Sequence, residues 1–265
     1  MKDIQSTIDE RGIAIQKVGI RDVHLPIQIK TEDGSFQQVL ASIQFTVSLP
    51  MEYKGTHMSR FVEILNKWSA KPFAEEEMNA ILFEAMEKLE AESADLILDF
   101  KYFIQRFAPV SGKRSLLDVD CSFSGSLKRG EKMQFTLGVK VPYTSLCPCS
   151  KEISQYGAHN QRGMMNVRLS YNEGFDCIFI EKLVNILEQQ GSCQVYPLLK
   201  REDEKYVTEH AYDNPKFVED ILRDGVLALR ELDGLKWFSL ECENYESIHN
   251  HSAYAAHEEV IGKNC

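Results

Sequence analysis

Residues 24–49, HLPIQIKTEDGSFQQVLASIQFTVSL, decide the fold class that the sequence predicts. In residues 24–30 and again in residues 39–49, apolar and polar side chains alternate, which is typical of half-buried β-strands. The four residues between these runs, TEDG at 31–34, form a turn signal. The stretch therefore predicts a β-hairpin, and Pro50 ends its second strand.

The segments that follow extend this pattern in both halves of the chain. In the first half, residues 58–68 and 73–89 show helical spacing, and residues 96–107, 116–123 and 133–141 return to strand spacing. In the second half, strand spacing at 164–171 is followed by helical spacing at 177–187 and 214–232, and then by a strand at 237–242. Strands that enclose helix pairs favour an antiparallel α+β architecture over a doubly wound one. We predict two structural modules, residues 1–130 and 131–265, each in the order strand, strand, helix, helix, strand, strand.

Composition excludes several classes of function. The 265 residues carry a formal net charge of −10, which argues against a general nucleic-acid binder because such proteins usually present a basic face. No run approaches the roughly 20 apolar residues that a membrane-spanning helix needs. The N-terminal residues show no basic segment followed by an apolar run, so we expect a cytoplasmic protein. Free thiols or thiolate ligands are expected from the odd number of cysteines, which are Cys121, Cys147, Cys149, Cys177, Cys193, Cys242 and Cys265.

The densest cluster of reactive side chains is residues 145–162, SLCPCSKEISQYGAHNQR. In extended backbone, Cys147 and Cys149 would point the same way, so one thiol could bind a metal while the other faces a substrate. His159 could reach the same ion, and a thiolate with an imidazole suits zinc or another late divalent metal. The alternative is a pair of ordinary buried thiols beside a surface histidine. A four-thiolate site fits poorly, since there is no second cysteine pair at Cys-x-x-Cys spacing.

Three further features permit both a structural and a functional interpretation. The run KREDEK at 200–205 is more typical of a solvated charged surface, and Glu219 reads as an exposed carboxylate on a helix face. The segment ESIHNH at 246–251 places two histidines and a glutamate together, which suits acid–base chemistry as well as it suits a polar loop. Residue types and spacing thus predict a metal enzyme without naming its reaction.

Several motifs together resemble one known family. The segments SLCPCSKEI (145–153) and GAHNQR (157–162) closely resemble the prokaryotic type IB GTP cyclohydrolases. The likeness extends over most of the chain, in the family's order, through KGTHMSRF (54–61), DEK (203–205), VTE (207–209), NPKFVED (214–220) and ESIHNH (246–251). Several motifs in the right order are far more specific than any one of them.

This resemblance implies a fold, a reaction and an assembly. The fold is the bimodular tunnelling fold, of α+β class, in which each module is an antiparallel four-stranded sheet with two helices. The reaction converts GTP and water to 7,8-dihydroneopterin triphosphate and formate, the first step of tetrahydrofolate biosynthesis. The assembly is a homotetramer with active sites at subunit interfaces, and neither a nucleic acid nor a membrane is expected as a partner.

The resemblance also implies a metal site. Cys147, His159 and Glu204 match the metal ligands, with Cys149 as the alternative thiolate ligand if Cys147 faces the substrate. One divalent ion per site is expected, and one thiolate, one imidazole and one carboxylate admit zinc, manganese(II) or iron(II). The resemblance therefore implies that residues 200–205, which by themselves are more typical of a solvated charged surface, include a metal ligand, Glu204.

Substrate and proton-transfer roles follow from the same resemblance. Glu219 matches the glutamate that anchors a purine, and a carboxylate can accept two parallel N–H bonds from guanine N1 and its exocyclic amine. Cys149, Glu246 and His249 match proton-transfer and positioning groups, with His249 as the candidate acid. The hypothesis is that metal-activated water attacks guanine C8. Candidate triphosphate-binding cations are Lys151, Arg162, Lys200, Arg201 and Lys205.

Two other functions remain to be distinguished from this one. A related cyclohydrolase would act on GTP but release a different pterin phosphate, which the mass of the product would show. A non-catalytic tunnelling-fold protein would bind a purine or pterin without turning it over.

Overall fold

The computed structural model describes Gln5 and residues 7–262, and among these residues it contains ten β-strands and six α-helices. The α+β class predicted from the sequence is confirmed. The chain divides into two compact units, one within residues 1–101 and 122–137 and the other within 102–121 and 138–265. Cys265, the last of the cysteines expected to be free, and the outermost residues of both predicted modules lie outside the described part. The predicted division at residues 130 and 131 into two four-stranded modules stays a prediction.

The first unit begins with the predicted hairpin. Its elements are β1 (Ile15–Lys30), β2 (Phe36–Leu49), α1 (Met58–Trp68), β3 (Pro72–Phe73), α2 (Glu75–Lys88), the first part of β4 (Ser93–Phe107), the last part of β5 (Arg114–Lys128) and the start of β6 (Gln134–Leu146). Hydrogen-bonded neighbours in this unit follow the order β3, β1, β2, β4, β5, β6. The predictions of two helices and of the strands on either side of them are confirmed.

The turn of the hairpin forms for the reason that the sequence indicates. Gly34 adopts a positive φ of 84°, and its amide donates to the carbonyl of Thr31 at 3.0 Å. The Asp33 carboxylate accepts bonds from the Thr31 hydroxyl and the Ser35 amide, at 2.6 and 2.9 Å. These bonds close the turn, so β1 and β2 pair in register with Ile27 opposite Val39.

The second unit holds the remaining elements. They are α3 (Pro148–Ile153), β7 (Asn160–Tyr171), α4 (Ile180–Glu188), β8 (Cys193–Gln194), α5 (Arg201–Asp213), α6 (Val218–Arg230), β9 (Leu235–Asn244) and β10 (Ala253–Val260), together with the remaining parts of β4, β5 and β6. Neighbours follow the order β4, β5, β6, β7, β9, β10, and β8 pairs with β6. No helix of the described residues has the length and apolar character to cross a membrane.

In the second unit, the neighbouring strands β6, β7 and β9 end or begin side by side, and these strand ends form one edge of the sheet. Strand β7 pairs antiparallel with β9, with Gly163 opposite Asn244, so the start of β7 lies beside the end of β9. Strand β6 is the other neighbour of β7, and the amide of Cys147 donates to the carbonyl of His159 at 3.1 Å. The residues just after β6, just before β7 and just after β9 are therefore close together, although they are distant in sequence.

A buried polar network braces this edge. Tyr143 donates its hydroxyl hydrogen to Asn244 Oδ1 at 2.8 Å, and Asn244 Nδ2 donates to Ser145 Oγ at 3.0 Å. Ser145 in turn donates to the carbonyl of Lys216 at 3.0 Å, so the segment before α6 is tied to β6. Buried polar groups that are satisfied in this way hold one arrangement of their strands, since breaking any bond leaves an unpaired group.

Candidate functional site

The two thiols of the Cys-Pro-Cys segment do not lie on one face of a strand, so that expectation is wrong. Cys147 is the N-cap of α3, and Pro148 occupies the first helical turn, where its missing amide hydrogen is not needed. Cys149 therefore belongs to a helix, in which residues two apart point in different directions. The Cys147 side chain is half-buried and Cys149 is exposed. The order Cys-Pro-Cys-Ser, with proline directly after a capping residue, was the available signal for a helix start.

Ser150 holds Cys147 and His159 together. The Ser150 amide donates to Cys147 Sγ at 3.4 Å, and the His159 amide donates to Ser150 Oγ at 3.2 Å. The Ser150 hydroxyl also donates to the Cys147 carbonyl at 3.1 Å. The backbones of Cys147 and His159 are thus held side by side, because the pairing of β6 with β7 continues across these residues.

Gln161 joins the side chains of His159 and Glu246. Its Oε1 lies 2.8 Å from His159 Nδ1, and its Nε2 donates to Glu246 Oε1 at a longer distance of 3.4 Å. Gln161 is buried, with 8% of its surface exposed. Glu246 comes to this place because the Tyr245 amide donates to the Arg162 carbonyl at 2.9 Å, which extends the pairing of β7 with β9. No role for Gln161 was predicted from the sequence, although its position two residues after His159 at a strand start was a signal.

Helix α5 brings Glu204 toward the same edge. Val207 and Ala211 pack in an apolar cluster with Leu146 and Ala158, which are the chain neighbours of Cys147 and His159. Residues 204, 207 and 211 share one helix face, so Glu204 lies one turn beyond this contact. Its carboxylate is exposed.

Asp203 fixes the start of α5. It is fully buried, and its carboxylate accepts bonds from the amides of Val110, Ser111 and Lys200, each at 2.8 Å, and from the Ser111 hydroxyl at 2.6 Å. Burial by itself raises the pKa of Asp203, but the bonds from Ser111, Lys200 and Val110 outweigh it and lower the pKa below the usual range. Asp203 was predicted from the sequence to be part of a solvated charged surface, and its burial corrects that prediction.

Glu219 and His249 are exposed. Glu219 lies in the first turn of α6, and the amide of Lys216, three residues earlier, donates to the Leu146 carbonyl at 3.1 Å. His249 lies in the segment between β9 and β10, and its ring stacks on that of His251 at 5.1 Å. Among the triphosphate candidates, Lys151 is already engaged: its ammonium group donates to the Tyr212 carbonyl at 2.5 Å and lies over the Tyr212 ring.

The chain therefore brings together some candidates and not others. The backbones of Cys147 and His159 are adjacent, and Gln161 links the side chains of His159 and Glu246, whereas no contact joins Glu204 to them among the described residues. Within Gln5 and residues 7–262, no three side chains of cysteine, histidine, aspartate or glutamate lie close enough to form a metal site. The types of donor nevertheless fit a divalent metal, since a thiol, an imidazole and a carboxylate are groups that such ions bind.

Solved structures show the class of fold. A urate oxidase from Bacillus sp. TB-90 aligns over 93% of this chain and 100% of its own, with a TM-score of 0.56 and 11% sequence identity. A uricase from Arthrobacter globiformis aligns over 94% of both chains, with a TM-score of 0.55 and 8% identity. Such low identities establish the fold alone, and this fold is the tunnelling fold that the sequence motifs predicted.

Sequence comparison identifies the family within that fold. The family described as "Type I GTP cyclohydrolase folE2" matches residues 1–255. GTP cyclohydrolase FolE2 of Geobacter metallireducens is 55% identical over 258 residues, which are 97% of this chain and 97% of that protein. FolE2 of Geobacter sulfurreducens is 53% identical over 259 residues, which are 98% of both chains. The chain belongs to the FolE2 type I GTP cyclohydrolase family.

Proposed function

We propose that this protein is a GTP cyclohydrolase that converts GTP and water to 7,8-dihydroneopterin triphosphate and formate in folate biosynthesis. The observation that carries the proposal is that the backbones of Cys147 and His159 are adjacent where β6 and β7 pair, and that Gln161 links the side chains of His159 and Glu246. Identity above 50% over nearly the whole length of two GTP cyclohydrolases supports it.

The proposed metal ligands are Cys147, His159 and Glu204, with one divalent ion per site. Cys147 and His159 are adjacent across the continued pairing of β6 with β7, and the exposed Glu204 side chain can turn toward them from α5. A divalent ion at these ligands would lower the pKa of water, which is the activation that hydrolysis at guanine C8 needs. Zinc, manganese(II) and iron(II) all accept this donor set.

The chain's own residues take the other roles. Glu219 would accept the N1 and exocyclic amine hydrogens of guanine, and so orient the purine. Glu246, held by Gln161, would relay protons, while His249 would protonate the purine at N7 and Cys149 would face the substrate. Cys149, Glu219 and His249 are exposed in the single chain. Their exposure supports these roles, because a substrate or another subunit can contact them.

We also infer that the active protein is a cytoplasmic homotetramer with active sites between subunits. Strand β10 has β9 as its neighbour and lies at an end of the strand order, so its other edge can pair with another chain. Free thiols at Cys121, Cys147, Cys149, Cys193 and Cys242 support a reducing compartment.

Turnover of GTP tests the proposed function directly. The protein loaded with zinc, manganese(II) or iron(II) is incubated with GTP, and the products are oxidised and examined for neopterin fluorescence and for formate. We expect both products, with the mass of dihydroneopterin triphosphate before oxidation. A pterin phosphate of another mass would favour the related cyclohydrolase, and binding of GTP without either product under all three metals would favour the non-catalytic protein.

Substitution of each thiol separately distinguishes the two possible thiolate ligands. Cys147→Ala should abolish metal binding because it removes a ligand that Ser150 and the β6–β7 pairing hold in place. Cys149→Ala should keep the metal and lose turnover. Metal content measured by mass spectrometry checks both variants, and a full complement in Cys147→Ala would transfer the ligand role to Cys149.

A further inference from the structure

Gln161 is a buried polar side chain to which the proposed mechanism gives a role toward Glu246 but none toward His159. It lies in the second position of β7, with 8% of its surface exposed, and its side chain contacts the side chains of His159 and Glu246. Burying an amide is costly unless its donor and acceptor are both used. The two contacts satisfy both ends of this amide.

The chemistry of Glu246 determines which way the amide points. An ionised carboxylate only accepts hydrogen bonds, so the end of Gln161 that faces Glu246 must be the NH₂ group. The carbonyl oxygen then faces His159, 2.8 Å from Nδ1. Because a carbonyl oxygen only accepts, His159 Nδ1 must carry the hydrogen. The other nitrogen of that ring, Nε2, is then left with its lone pair.

We propose that Gln161 is a positioning residue that selects the tautomer of His159 with Nε2 available for the metal, and that couples this ligand to Glu246. Metal-binding histidines commonly donate their second ring hydrogen to an acceptor that fixes the ring's orientation. Here the acceptor is a neutral amide, and its other end donates to the proposed proton relay. This inference rests on the proposed metal site at Cys147 and His159.

The proposal predicts separate consequences for the two ends of the amide. Gln161→Met has a similar length and removes both hydrogen bonds. Gln161→Glu keeps an oxygen acceptor for His159 Nδ1 but removes the donor to Glu246. The two variants therefore test the orientation of His159 and the link to Glu246 separately.

Metal affinity and turnover together provide the test. Cobalt(II) affinity is measured on the metal-free full-length protein by competition with a chromogenic chelator, and the cobalt absorption spectrum reports ligand geometry. For Gln161→Met we expect an affinity about 10- to 100-fold weaker and an altered spectrum. For Gln161→Glu we expect a cobalt affinity within about threefold of the unmodified protein, because the carboxylate still orients His159. We also expect a lower kcat with little change in KM, because the donor to Glu246 is lost.

A matched control shows whether a loss of cobalt affinity is specific to position 161. Gln194 is a half-buried glutamine whose amide likewise bridges two side chains, donating to Glu188 at 3.1 Å and accepting from Tyr196 at 2.7 Å. Gln194→Met should leave the cobalt affinity and spectrum unchanged. Melting temperatures of all variants show whether each one folds.

The outcomes separate this inference from the proposed function. If Cys147→Ala and His159→Ala lose cobalt binding but folded Gln161→Met keeps full affinity, the positioning role is overturned while the metal site stands. If Gln161→Glu loses affinity as severely as Gln161→Met, selection of the tautomer by an acceptor is wrong. If neither Cys147→Ala nor His159→Ala changes cobalt affinity, the metal site and the positioning role both fail.

Discussion

Gly163 is a residue at which the packing permits no side chain. It lies on β7 against the ring of buried Tyr143, and a Cβ added at Gly163 would come closer to that ring than real Cβ contacts come. The Tyr143 ring cannot move aside, because its hydroxyl is bonded to Asn244 in the buried network. A methyl group here would therefore push β7 away from β6.

We expect Gly163→Ala to lower the free energy of unfolding by about 1–3 kcal/mol, which is the usual cost of overpacking a core. Urea denaturation followed by fluorescence measures the change. Gly262→Ala is the control, since a Cβ at Gly262 meets nothing within 4 Å. Equal denaturation midpoints for the two variants would contradict the packing argument.

Glu84 on α2 is a second residue with a defined energetic role. Its carboxylate accepts hydrogen bonds from Lys67 at 2.8 Å and the Trp68 ring at 2.9 Å, and it pairs with Lys88 at 2.7 Å. Burial raises the pKa of Glu84, but the bonds from Lys67, Lys88 and Trp68 outweigh it and lower the pKa from 4.5 to about 2. The folded state therefore binds the proton less tightly than the unfolded state does.

The sign of this shift determines how stability depends on pH. The Glu84 contribution is fully present above about pH 4.5 and is lost as the pH falls toward about 2. We expect Glu84→Gln to cost about 1 kcal/mol at pH 7, a value reduced because both lysines are partly exposed, and to cost less at pH 3. Urea unfolding of both proteins at the two pH values measures the difference. A cost that grows on acidification would show that the sign is wrong.

At the scale of elements, α5 depends on a single buried carboxylate. Asp203 joins the first turn of this helix to Val110 and Ser111, in the connection between β4 and β5. Asp203→Ala would leave the amides of Val110, Ser111 and Lys200 without their acceptor in a part-buried place. We expect the free energy of unfolding to fall by about 2–4 kcal/mol.

Hydrogen exchange locates this effect. The amides of Val110, Ser111 and Lys200 should lose protection in Asp203→Ala, since their acceptor is gone. Glu202→Ala changes the exposed neighbour on the same turn and should keep both stability and protection. Retained protection of the three amides in Asp203→Ala would show that another group accepts their bonds.

A helix or strand could be predicted from the sequence when its apolar residues recur at regular helix or strand spacing. Helix α1 was predicted with its observed bounds, 58–68, because Phe61, Ile64 and Leu65 form one buried stripe. Helix α5 was missed because only Asp203 and Ala211 are buried in it, and one of these is charged. Strand β10 was also missed, since its inner face carries small and polar side chains. Periodicity detects a repeated apolar stripe, and α5 has only a short apolar contact beside its polar anchor, while β10 is held by strand pairing.

At the scale of the whole molecule, the proposed interface sites permit complementation between inactive chains. If Cys147 and Glu219 of one site come from different subunits, a mixed oligomer of Cys147→Ala and Glu219→Ala chains contains some intact sites. We therefore expect co-expression of the two variants to restore a fraction of the activity that each lacks alone. Neopterin fluorescence from the purified mixed oligomer measures it.

The matched control combines both substitutions in one chain. Co-expression of the Cys147→Ala, Glu219→Ala double variant with either single variant should restore nothing, because every site then lacks a group. Light scattering establishes the number of chains in each preparation. If the mixed tetramer of the two single variants has no activity, Cys147 and Glu219 of one site lie on the same chain.

The amino-acid sequence by itself determined the α+β class, the first hairpin, the apolar helices and, through its motifs, the family. These features depend on local periodicity and on residue identity, which are written directly in the chain. Only the tertiary structure decided that Cys147 begins a helix, that Asp203 is a buried anchor and that Gln161 joins His159 to Glu246. Those relations depend on the pairing of β6, β7 and β9, and side chains 85 residues apart meet only once that pairing has formed.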